Sequence, residues 1–112
     1  LNTDTVSFDE FGEMDIRVGK VVNVEEHPNA DKLYKVHVEV EKGATLQTCA
    51  GLKNHYSKDE LEGRRVIVLA NLEPAELRGE KSECMMLAAE DEDGNVSLLT
   101  TDKEMPVGSE VR

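Results

Sequence analysis

The 112-residue chain changes its hydrophobic period several times, and each change marks an element. Between Asp15 and Val24, Ile16, Val18, Val22 and Val24 share one parity while Arg17, Gly19 and Asn23 share the other, the two-residue period of a half-buried strand. Lys20 falls on the apolar parity beside Gly19, which predicts a bend there. The EEHPNAD that follows reads as a turn: Pro28 steers His27 away from helix, and Asn29 and Asp31 can bond their own backbone. Alternation returns from Leu33 to Val40, with Tyr34, Val36, Val38 and Val40 on one face and Lys35, His37 and Glu39 on the other. A third strand, GATLQTCAGL, sets Leu46, Thr48, Ala50 and Leu52 against Gln47, Cys49 and Gly51, and its small residues admit a close neighbour.

In HYSKDELEG, Ser57 followed by Glu60 matches a capping box and Gly63 a C-cap, which predicts one short helical turn. RRVIVLANL lacks alternation and reads as a strand buried on both faces. After NLEPAELRGE, SECMMLAAE is another apolar run, DEDGNVSLLT signals a hairpin at Asp93-Gly94-Asn95, and Pro106 and Gly108 punctuate a short tail. This order predicts an all-β fold: a five-stranded Greek-key barrel of the OB type, with a short helix between strands 3 and 4 and a C-terminal hairpin extension. An SH3-like barrel or small sandwich fits the same pattern. The length suits one domain, placed at residues 11–112 behind an acidic N-terminal extension at 1–10.

Composition narrows the class. The chain is 38% hydrophobic and 33% charged, and no apolar run approaches the ~18–20 residues that span a bilayer, so a soluble cytoplasmic protein with no membrane partner is expected. No signal peptide is recognisable, and the start at Leu1 rather than Met reads as a fragment, a processed form or an excised domain. Cys49 and Cys84 lie in separate apolar stretches without CxxC or ligand spacing, so two reduced, buried thiols are expected and no metal site. His27, His37 and His55 pair with no nucleophile in a recognised motif, and no glycine-rich phosphate loop occurs. Neither catalysis nor a cofactor is expected.

The formal net charge of −11 argues against a general nucleic-acid binder, but its distribution changes that picture. Residues 1–15 hold five acids and no base and 90–93 are four consecutive acids, whereas 16–35 and 53–65 each hold four bases against three acids. On an OB barrel the usual ligand surface is the face of strands 2 and 3 with the loops joining strands 1–2 and 4–5. NADKLYK and PAELRGEKS occupy those loops, so Arg17, Lys20, Lys32, Lys35, Lys53, Arg78 and Lys81 can converge on one face. With two Tyr and two Phe the chain has few platforms for base stacking, and Tyr34 has the parity of a core residue. Recognition of backbone and shape in a folded RNA fits better.

The stretches DIRVGKVVNVEEHPNADKLY, CAGLKNHYSKDELEGRRVIVLANLEPAELRGEKSECMMLAA and MPVGSEV resemble the tRNA-binding domain appended to methionyl-tRNA synthetases and shared by stand-alone tRNA-binding proteins. The resemblance covers roughly residues 11–111, and ANLEPAELRGEKSECMMLAA favours the methionyl type over the phenylalanyl β chain. It implies a non-catalytic OB domain that binds the outer corner of tRNA with little sequence specificity, raises a methionyl-tRNA synthetase's affinity for tRNA, and forms a homodimer. It carries Asn29, Lys32, Tyr34, Ser82 and Met85 over as RNA-binding positions; charge and placement add Arg17, Lys20, Lys53, Arg78 and Lys81. For Ser82, a hydroxyl closing the loop between strands 4 and 5 is an equal alternative. Cys84 stands where many relatives have glycine. The competing reading is an assembly module with negligible RNA affinity, which apolar exposure at Leu98, Leu99, Val107 and Val111 would favour.

Overall fold

The computed structural model describes residues 1–112. Its main body is a curled antiparallel sheet of five strands: β1 (Ile16–Glu26), β2 (Tyr34–Glu41), β3 (Ala44–Ala50), β4 (Arg65–Leu69) and β7 (Met85–Met86), in the order β3-β2-β1-β4-β7. The length of β1 makes the curl possible. Its first half, Ile16–Lys20, pairs with β4 and its second half, Lys20–Glu26, with β2, so one strand serves both walls of an OB-type barrel.

The alternation along β1 does not run through as the sequence predicts. A bulge between Val21 and Asn23 inserts an extra residue and flips the parity, so Val22 is exposed while Val21 and Val24 enter the core. Val18 pairs with Ile67 and is buried, but outside the main core cluster. Gly19, expected on the polar parity, is buried inside the barrel. A Cβ there would lie 2.8 Å from Val38 Cγ1 and 2.9 Å from Val68 Cγ2. The missing side chain is what lets β2 and β4 close over β1.

The core cluster takes its valines from β1, β2 and β4: Val21 and Val24, Val36, Val38 and Val40, Val66 and Val68. Helix α2 (Lys58–Leu61) places Leu61 in it. The capping box forms as predicted, with Ser57 accepting from the Glu60 amide and Glu60 from the Ser57 amide, and Gly63 takes φ +81°. A second short helix, α1 (Phe8–Gly12), lies largely in the stretch expected to be a plain acidic extension. It carries the same device, Ser7 with Glu10, so the acidic stretch is partly helical.

After β4 the chain departs from the expected loop and single fifth strand. The stretch foreseen as a loop forms its own hairpin, β5 (Ala75–Leu77) with β6 (Glu80–Ser82). The apolar run after it breaks: β7 keeps two residues against β4, and β8 (Ala88–Glu90) swings away to pair with β9 (Val96–Leu98). The turn between β8 and β9 is the one foreseen, with Asp91 accepting from the Asp93 and Asn95 amides. The tail returns beside the first half of β1, where Gly108 N–H donates to Val18 O and Val111 N–H to Ile16 O. One side-chain expectation is corrected: Cys49, expected to be buried, is half-exposed. Leu98, a candidate for the apolar exposure that would favour an assembly module, belongs to the core cluster.

β3 meets the β6–β7 segment mainly through side chains. Gln47 exchanges with Glu83 (Glu83 N–H to Gln47 O, 2.8 Å; Gln47 N–H to Glu83 Oε1, 3.1 Å), and its amide donates to Lys81 O at 2.9 Å. The buried Ser82 hydroxyl shares a 3.2 Å bond with Thr48 and accepts from the Cys49 amide at 3.1 Å.

Candidate nucleic-acid interface

The turn between β1 and β2 is fastened to the β5–β6 hairpin, and that junction builds the site. His27 is buried; its Nδ1 accepts from Asn29 N–H at 2.9 Å, so in the neutral ring the proton sits on Nε2, which donates to Leu77 O at 2.8 Å. The Asn29 side chain donates to the next carbonyl, Arg78 O, at 3.0 Å. The hairpin offers those carbonyls because its loop has two residues, Arg78 and Gly79, both at positive φ (53° and 87°), the geometry that suits a tight hairpin. Glycine adopts it freely, whereas Arg78 is held in a region that side chains avoid. Below the junction, Lys35 Nζ reaches Glu80 at 2.7 Å and Glu25 at 3.6 Å.

An open cleft of about 400 Å³ lies along this junction, lined by Asn29, Ala30, Asp31, Lys32, Leu33 and Arg78. Lys32 and Arg78 are exposed, and neither is among the ion-paired bases. Other bases nearby are committed. Lys35 lowers the Glu80 carboxyl from its ordinary value through their hydrogen bond, and its own ammonium is raised by the same bond. Lys53 does the same to Glu26. Lys81 is exposed, 3.8 Å from Glu83.

The remaining candidates lie elsewhere or inside. Lys20 pairs in register with Glu39 and Arg65, six residues down β1 from Glu26 where the turn begins, roughly 20 Å away at the usual strand rise. Arg17 is farther still. Its guanidinium is clamped on Asp15 (2.9 and 2.6 Å) and reaches Val40 O at 3.3 Å. Tyr34 belongs to the core cluster, and its hydroxyl donates to Tyr56 O at 2.9 Å, so its ring offers no face to a base. Ser82 is buried in the β3–β6 seam, which favours the closing role over direct contact. Met85 is exposed and lines a separate apolar groove of about 220 Å³ with Cys49–Leu52, Met86 and Leu98.

The structure thus brings Asn29, Lys32 and Arg78 together, with Lys53 and Lys81 tied to carboxylates, and leaves Arg17 at the other end of β1 and Lys20 near its middle. Sequence reasoning missed His27 as a structural link. Its neighbour Pro28 marked a turn, but nothing local reveals a carbonyl fifty residues away.

Residues 16–110 match the family described as "Putative tRNA binding domain". The chain is 51% identical over 107 residues to the methionine–tRNA ligase of Thermococcus onnurineus and 45% identical over 108 residues to that of Methanococcus maripaludis strain C5. The alignments cover 96% of this chain but 14% and 16% of those ligases, so the chain spans a minor part of the length of the curated relatives it matches. Among solved structures, the MetRS related protein of Pyrococcus horikoshii superposes with a TM-score of 0.89 at 32% identity, covering 98% of this chain and 100% of that one. The chaperone CsaA of Bacillus anthracis superposes at 0.85 with 27% identity, covering 97% and 100%. The family match runs from the first residue of β1 to the bridge that ties the tail back onto it, so the whole barrel lies within it and the chain belongs to this tRNA-binding domain family.

Proposed function

We propose that this domain is a non-catalytic tRNA-binding module that raises the tRNA affinity of a methionyl-tRNA synthetase in the cytoplasm. It engages the outer corner of tRNA through phosphates and shape, with little sequence specificity. The observation that carries the reading is the Asn29–Arg78 link, which sets Lys32 and Arg78, both without an acidic partner, around one cleft. Asn29, Lys32 and Arg78 form the centre of the site. Lys53 and Lys81 flank it, Met85 lies in the separate apolar groove, and Arg17, Lys20, Tyr34 and Ser82 support the barrel that carries it. In an acidic domain two free cations give weak binding by themselves, and attachment to the synthetase supplies the missing affinity as effective concentration. A non-catalytic role accords with two groups that are poorly placed for chemistry: burial pushes the Cys84 thiol up to about 12, and the imidazole of His27 is spent on hydrogen bonds.

The test is binding of the domain to a bulk tRNA pool and to a DNA duplex of equal charge at two salt concentrations. Salt-sensitive preference for tRNA is expected. Absence of binding at low salt would leave the second reading, a dimerising appendage that holds synthetase chains together. The apolar groove with exposed Met85, together with exposed Leu99 and Val22, favours that reading, and light scattering decides it: a monomer at tens of micromolar removes it.

A further inference from the structure

We propose that His27 is a positioning residue for RNA binding: its imidazole braces the turn between β1 and β2 against the β5–β6 hairpin and so sets the spacing between Lys32 and Arg78. The inference rests on the proposed role of the cleft, but its structural half stands without it. His27 and Asn29 take two successive carbonyls of the hairpin, Leu77 O and Arg78 O, and are joined to each other by the bond from Asn29 N–H to Nδ1. These contacts close a ring that runs from the imidazole through Asn29 to the hairpin and back.

Of the forms an imidazole can take, the neutral ring with its proton on Nε2 completes that ring of contacts, because it must accept at one nitrogen and donate at the other. Lys and Arg have donors but no acceptor, and a shorter polar side chain reaches only one partner. The brace lies where it matters for charge placement. Lys32 follows Asn29 by three residues in the turn, and Arg78 is held in its unfavourable backbone conformation with its carbonyl tied down. His27 N–H also donates to Leu33 O at 3.1 Å, so the residue pins the base of the turn as well as its side. Burial of the ring keeps water from substituting for either contact. His27 touches no RNA in this scheme and acts only through the two cations.

Two substitutions separate the contacts. His27→Asn keeps an acceptor near the Nδ1 position but is too short for Leu77. His27→Gln can place an amide N–H near the Nε2 position and restore the link between turn and hairpin. For H27N, tRNA affinity is expected to fall by roughly five- to ten-fold, the worth of one lost hydrogen bond, with faster amide exchange at Arg78 and Gly79. H27Q is expected to recover most of that affinity. The salt slope should stay at the parental value in both, since no cation is removed. Nitrogen-15 spectra of the parent ring need no variant and should show the neutral Nε2–H form. An Nδ1–H form, or H27N with parental amide exchange at the hairpin, overturns the brace. An H27N protein with altered exchange but unchanged tRNA affinity overturns the positioning role, and a parent that binds no tRNA overturns the function proposed above while leaving the exchange result to decide the brace.

Discussion

Lys35 Nζ lies 2.7 Å from Glu80 Oε1, and both side chains are more than three-quarters buried. The pair joins β2 to the hairpin beneath the cleft, and it answers why an acidic chain keeps a lysine in a strand that otherwise alternates into the core. Lys35 stands on the polar parity and neutralises a carboxylate that the hairpin brings down onto the barrel.

The pair makes stability depend on pH in a direction set by the two shifts. Glu80 is lowered by its bond from Lys35, so its contribution is present above the ordinary carboxylate value and is lost as pH falls through the lowered one. Lys35 is raised by the same bond, so its contribution is present below the ordinary lysine value and is lost as pH rises through the raised one. Urea midpoints of the parent and of Glu80→Gln should differ at neutral pH and converge in acid below the ordinary carboxylate range. A difference that stays constant into strong acid would refute the assignment.

Replacing Lys32 and Arg78 together by alanine removes both free cations of the cleft. Binding to tRNA is expected to weaken about ten-fold at low salt, and the slope of log affinity against log salt to flatten by about one unit per cation. Filter binding at four salt concentrations measures both. A double variant with the parental affinity and slope would move the site away from this cleft.

Gly19→Ala tests the closure of the barrel. The added methyl would sit 2.8 Å from Val38 Cγ1, 2.9 Å from Val68 Cγ2 and 3.1 Å from the Glu39 carbonyl oxygen, so β2 and β4 must part to admit it. A loss of ~1–3 kcal/mol in urea denaturation is expected, typical of overpacking. Gly12→Ala is a control, because nothing lies within 4 Å of the added atom.

The two thiols should differ in reactivity. Burial raises the Cys84 thiol to about 12, which leaves on the order of one thiolate in ten thousand at pH 8 and no path for reagent. Cys49 is also raised, but it is half-exposed at the rim of the apolar groove. Iodoacetamide labelling followed by mass spectrometry should modify Cys49 in the native protein and Cys84 only after unfolding.

The local signals in the chain were legible because they act over a few residues. Alternation marked β2, the unbroken apolar run marked β4, and Ser57 with Glu60 marked α2. The same capping signal stands at Ser7 and Glu10, where it starts α1. The β1 bulge was not legible, since three consecutive residues, Val21, Val22 and Asn23, fit either parity until β2 chooses a register.

The candidate site divides along the same line. Sequence by itself determined the first four strands, the short helix before the fourth, and the placement of bases in the stretches that precede β2 and follow β4, because turn chemistry and hydrophobic period are local properties. Only the tertiary structure decided which of those bases remain free. Arg17, Lys35 and Lys53 meet carboxylates, while Lys32 and Arg78 meet none. The Lys35–Glu80 and Lys53–Glu26 pairs, like the carbonyl that His27 finds on Leu77, join residues that are adjacent only after the sheet has curled, whereas Arg17 and Asp15 lie two residues apart in the chain. A side chain's charge is written in the chain, but its partner is set by which strands the fold brings within three ångströms of it.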